Sequence, residues 1–93
     1  MTDDLAKRVR LAAKMLTSAG ACEVFIFGSA ATGSMRPESD VDLAVTGLPP
    51  DKFFEAMGES GDVLGCPLDL VDLDEDNPFT RYLKEEGELV RVG

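Results

Sequence analysis

Leu5, Val9, Ala12 and Leu16 recur at intervals of three to four residues, the spacing that lines up one side of a helix. Thr2 is suited to the N-cap, Asp3 and Asp4 to the positive end of the first turn, and Gly20 to the stop. The pattern predicts a helix from there through residue 18. Residues 22–27 then form a short apolar run around Val24, Phe25, Ile26 and Phe27, read as a buried strand. Residues 29–34 read as a short helix or turn, and Arg36, Pro37, Glu38 and Ser39 as a loop. A second strand is predicted over 40–46 and is broken by Gly47, Leu48, Pro49 and Pro50. Asp51 to Gly58 reads as a helix with Phe53, Phe54 and Met57 as its apolar side, and 59–65 as a loop. A third strand covers Pro67 to Leu73. Asn77 and Pro78 make an N-cap and first-turn pair for a last helix that runs to about Glu86 and closes at Gly87. Leu89 to Val92 is short enough for an edge strand. Repeats and low-complexity segments are absent. The order αβαβαβα predicts an α/β fold, a small sheet of at least three strands with helices packed on it, in one domain over residues 1–93.

The second strand breaks the apolar rule in a regular way. Side chains alternate along a strand, so Asp40 and Asp42 share one face while Val41, Leu43 and Val45 share the other. Asp40 alone would be explained as a turn cap beside Ser39; a second carboxylate on the same face of an apolar strand is not. Paired carboxylates repel, and Mg²⁺ relieves that repulsion, because it takes oxygen ligands from one or two carboxylates plus substrate phosphates. Twelve positions before Asp40, Gly28 and Ser29 stand where a strand gives way to a turn or helix. Such a junction points backbone N–H groups, a hydroxyl and a positive dipole end at an anion, and glycine lets the backbone come close to it. A phosphate cradle followed by a metal-binding pair points to phosphoryl or nucleotidyl transfer. Arg36 is the basic residue inside this stretch, placed to neutralise pyrophosphate or to pair with Glu38. The third strand adds Asp69 and Asp72, which are three apart and so face opposite ways. On the last helix, Arg81 and Lys84 face either the site or solvent.

Composition narrows the choices. The formal net charge is −9 and there is no histidine. The first fact disfavours unaided binding to a nucleic-acid backbone, which relies on Lys and Arg. The second removes His-based general base catalysis and His-ligated zinc, leaving the chemistry to carboxylates. No apolar run is long enough to span a membrane, and Met1 to Asp4 lacks the pattern of a signal peptide. Cys22 and Cys66 do not make a disulfide framework and are expected to be reduced core residues of a cytoplasmic protein. Lys7, Arg8, Arg10 and Lys14 crowd the first helix, as a solvated face or as a docking surface for an acidic partner.

The stretch from Gly28 and Ser29 through Asp40, Val41, Asp42 and Leu43 resembles the signature of the DNA polymerase β-like nucleotidyltransferases. Within that superfamily it is most similar to the minimal nucleotidyltransferases, short proteins often paired with a helical HEPN partner. The resemblance implies a mixed sheet, ATP as donor, two Mg²⁺ ions and a third carboxylate from a neighbouring strand. Asp69, early in its strand, matches that placement better than Asp72, which leads into the acidic run of Asp74, Glu75 and Asp76. The implied roles are Asp40, Asp42 and Asp69 for metal and catalysis, with Asp69 also accepting the acceptor's proton, and Gly28, Ser29 and Arg36 for the nucleotide. Many relatives carry a basic residue near the position of Thr32, which leaves this pocket short of positive charge. The resemblance further implies transfer of AMP to a tyrosine of a HEPN toxin. A binding module that silences its partner by contact, and a small-molecule nucleotidyltransferase completed by a separate helical subunit, are the alternatives.

Overall fold

The computed structural model describes residues 3–28, 41–87 and 89–93. Helix α1 spans Asp3–Ser18, strand β1 Glu23–Phe27, β2 Val41–Thr46, helix α2 Pro50–Leu64, β3 Leu68–Asp72, α3 Pro78–Glu85 and β4 Val90–Arg91. The expected N-cap Thr2 and the short helix or turn over 29–34 lie outside the described residues. The strands form one sheet in the order β3-β2-β1-β4. It is mixed: β1 runs antiparallel to both β2 and β4, and β2 runs parallel to β3 across the α2 connection. The α/β class read from the sequence is the class observed.

Alternation along the strands sorts the sheet into two unlike faces. Val24 and Ile26 of β1 and Val41, Leu43 and Val45 of β2 point to one of them, where they meet Val9, Ala12, Ala13 and Leu16 of α1 and Ala56 and Leu64 of α2. Burying such side chains is the main favourable term in folding, about 1.5–3 kcal/mol each. The periodic stripe of α1 is therefore what anchors it, and the helix ends where Gly20 takes a positive φ of 123°. On the opposite face a smaller cluster joins Phe27, Ala44, Leu73 and Leu83, with Phe25, Val71 and Leu89 at its margin. Only α3 covers that side among the described residues, through Leu83.

Helix α2 is longer than its sequence suggests, because it continues through the expected loop at 59–65 to Leu64. Gly58 and Gly61 each disfavour a helix by about 1 kcal/mol relative to alanine. Against that, Ala56, Ser60 and Leu64 lie four residues apart and are all buried. The helix stops at Gly65, in the left-handed conformation at φ 69°, whose N–H donates to the Gly61 carbonyl. Arg8 of α1 adds a donor to the Leu64 carbonyl at 3.3 Å. Helix α3 begins as expected: Asn77 accepts from the Thr80 N–H, and the Thr80 hydroxyl accepts from the Asn77 N–H, a reciprocal cap. The cysteines correct the sequence reading, since Cys22 is exposed and Cys66 half-buried, both as free thiols. No helix among the described residues is long and apolar enough to cross a membrane.

Candidate active site

Asp42 stands at the start of β2, one residue beyond the fully buried Val41, on the face away from α1 and α2. It has two register partners. Across the antiparallel pair it faces Phe27, and across the parallel pair it faces Asp69. Register partners in adjacent strands project to the same face, so the fold brings Asp42 and Asp69 side by side. Val71 and Ala44, the next pair along that face, belong to the second apolar cluster. The carboxylates thus lie one pair beyond Ala44 and Val71, on the same face and in register with Phe27. Asp42 is half-buried and Asp69 exposed.

Gly28 follows Phe27 directly and completes this end of the sheet. Its φ is 70°, and a Cβ placed there would stand 2.5 Å from Asp42 Oδ2. Two physical requirements therefore select glycine: a left-handed backbone, and room for the carboxylate. Asp40, Ser29, Arg36 and Thr32, the remaining residues of the motif, lie outside the described residues.

Asp72 has a different position and a different task. Its register partner is Val45, on the α1/α2 face. Its Oδ1 accepts from the Asp74 N–H at 2.9 Å, while Asp74 Oδ2 accepts from the Gly47 N–H at 2.6 Å. The two acids tie the turn after β3 to the turn after β2. Arg81 is likewise engaged: its Nε and Nη2 donate to Asp76 at 2.7 and 3.0 Å. That forked hydrogen bond holds the Asp76 carboxyl below the usual carboxylate range, against a small effect of desolvation and with help from the charge of Lys84.

The chemistry of the pair suits a hard cation. Two oxygens bound to one Mg²⁺, each at about 2.1 Å, are at most about 4.2 Å apart. Neighbouring strands lie about 4.8 Å apart, so register-paired carboxylates have to lean together to share such an ion. Among the described residues no three acidic, cysteine or histidine side chains converge on a metal-sized position. Phe27 and Phe79 also belong to this face. The Phe79 ring, from the first turn of α3, meets Phe27 edge-on with centroids 6.4 Å apart. Sequence reading assigned neither of them to the site. The available signal was a half-polar helix with two aromatics, Phe79 and Tyr82, three positions apart.

The family model "Polymerase beta, Nucleotidyltransferase" matches residues 14–91. No curated protein matches the sequence significantly. Among solved structures, a toxin–antitoxin with AMP-PNP aligns with a TM-score of 0.72 at 22% identity, over 92% of this chain and 72% of the other. Two mutant structures of the toxin–antitoxin MntA–HpeT align with TM-scores of 0.66 and 0.63, at 22% and 24% identity. They cover 82% and 83% of this chain, which spans 66% of each of theirs. At these identities the likeness is one of fold. One of the two carries glutamate in place of two aspartates two positions apart, the other alanine in place of a tyrosine.

Proposed function

The chain belongs to the polymerase β nucleotidyltransferase family, and from that premise we propose that it transfers AMP from ATP to a hydroxyl of a protein partner. The observation that carries this reading is the register pair Asp42 and Asp69, set on one sheet face beside Gly28. In this proposal Asp40, Asp42 and Asp69 hold two Mg²⁺ ions. When bound, the metal supplies positive charge to the triphosphate and to the attacking oxygen. Gly28 and Ser29 take the β- and γ-phosphates on backbone N–H groups and a hydroxyl, and Arg36 offsets charge on the departing pyrophosphate. Asp69, the more exposed of the two described carboxylates, accepts the proton of the acceptor hydroxyl, and the α-phosphate is attacked in line.

The partner in this reading is a helical toxin of the HEPN type, the acceptor is a tyrosine, and the protein acts as an antitoxin in the cytoplasm. Three observations support it. Structures of toxin–antitoxin pairs share this fold, one of them with a nucleotide analogue. Asp69, the proposed proton acceptor, is exposed among the described residues, as an acceptor carried on another molecule requires. The thiols of Cys22 and Cys66 are free. The Thr32 position, where relatives often carry a basic residue, favours one further reading, in which the domain silences its partner by contact alone.

Intact-mass spectrometry of the partner after mixing with ATP and Mg²⁺ separates the two. Nucleotidyl transfer adds about 329 Da per AMP. A partner bound and inhibited at unchanged mass would favour contact, and modification of a small molecule without a partner would overturn both.

A further inference from the structure

We infer that the ring of Phe79 is the surface on which the base of the nucleotide stacks. The inference rests on the site reading above, and three features of the second sheet face lead to it. Reading across that face in register, Asp69, Asp42 and Phe27 stand side by side on β3, β2 and β1. The next ring is Phe79, edge-on to Phe27 at an interplanar angle of 64°. The row therefore runs from the carboxylates, past the Gly28 backbone, to an aromatic ring. A nucleotide with its phosphates at Gly28 and the carboxylates meets that ring at the apolar end of the row.

The ring is both fixed and available. Phe27 is 9% exposed and packs against the Phe79 ring in a T-shaped contact, and Leu83, one turn further along α3, is buried in one cluster with Phe27. Phe79 itself is 51% exposed. A flat apolar surface pinned on one side and open on the other suits a base, because every base presents a π-face and stacking needs no hydrogen-bond match. Other exposed aromatics fit less well. Phe54 lies on α2, behind the opposite face of the sheet. Tyr82 is 55% exposed and makes no ring contact among the described residues that would orient it.

Stacking of this kind predicts that purine nucleotides bind more tightly than pyrimidine ones, with little distinction between adenine and guanine. Isothermal titration with Mg²⁺ and no acceptor present measures this for ATP, CTP and inorganic triphosphate. Phe79→Ala is expected to weaken ATP about tenfold, the range of one lost base–aromatic stack, to narrow the gap between ATP and CTP, and to leave inorganic triphosphate unchanged. Phe79→Tyr restores ATP binding. Unchanged ATP affinity in Phe79→Ala, with binding lost in Asp42→Asn, places the base elsewhere and overturns the inference alone. Equal weakening of ATP and triphosphate in Phe79→Ala makes the residue structural and overturns it too. If the wild type binds neither, the site reading fails and takes the inference with it.

Discussion

The two faces of the sheet use the same strands for opposite ends. On the face toward α1 and α2, Val41, Leu43 and Val45 are all at 0% exposure, and the helices cover the strands along their length. On the other face the same strand β2 presents Asp42, half-buried beside Asp69, and then Ala44, which packs in the apolar cluster with Leu83 of α3. Alternation makes this possible. One strand can hold the core together with its odd-numbered residues and carry charge with its even-numbered ones, and neither task compromises the other. The consequence is a separation of effects: substitutions on the first face should act on stability, and substitutions at Asp42 and Asp69 on the second should act on ligand binding and transfer.

The largest expected break in that comparison is Leu43→Ala. Leu43 is fully buried between β1 and β3 partners, and a large-to-small change at such a position costs about 2–5 kcal/mol. In a domain of this size each kcal/mol lowers Tm by about 4–8 °C, which calorimetry reads directly. Any loss of transfer should follow the loss of folded protein.

Next in size is the contrast between two acids of β3. Asp69→Asn is expected to reduce transfer by roughly a hundredfold, within the range for a general base, with little change in Tm. Asp72→Ala should leave transfer within a few-fold and instead lower Tm, because it removes the acceptor of the Asp74 N–H in the turn after the strand. Single-turnover assays and melting curves on both variants check the pair. The reverse ranking would mean that the face assignments do not separate chemistry from stability.

Much of this contrast was legible before any coordinates. The period-2 pattern of β2 and the three-residue offset between Asp69 and Asp72 follow from strand geometry alone, and Asn77 and Pro78 carry a local cap. What was not legible depends on distant partners. The glycines at 58 and 61 make 59–65 look like a loop, and only the burial of Ser60 and Leu64 against the rest of the fold extends the helix. Arg8 reads as one of four surface cations, yet its guanidinium reaches the Leu64 carbonyl, 56 positions away. Phe79 reads as a helix residue until β1 supplies the ring beside it. Pairing of β2 with Asp69 in register is itself a tertiary fact that alternation restricts without fixing.

A small effect is expected from the exposed ion pair between Arg81 of α3 and Asp76 just ahead of that helix. Arg81 holds the Asp76 carboxyl below its usual range. A carboxyl depressed in the folded state adds stability above the ordinary carboxylate range, and that contribution disappears as pH falls through the lowered value. Both side chains are solvent-exposed, so the effect on Tm should be slight. NMR titration of Asp76 should show a low midpoint that returns to the ordinary carboxylate range in Arg81→Gln, with transfer unchanged.

The separation of the two faces is tested most directly by the Tm of Asp42→Asn with and without Mg²⁺ and ATP. Removing one of two adjacent carboxylates relieves repulsion, so the variant without ligand should melt at or above the wild-type temperature. Ligand that binds only the folded state raises Tm by mass action, and that rise should be present in the wild type and absent in the variant. A variant that unfolds, or one that keeps the full rise, would contradict the account.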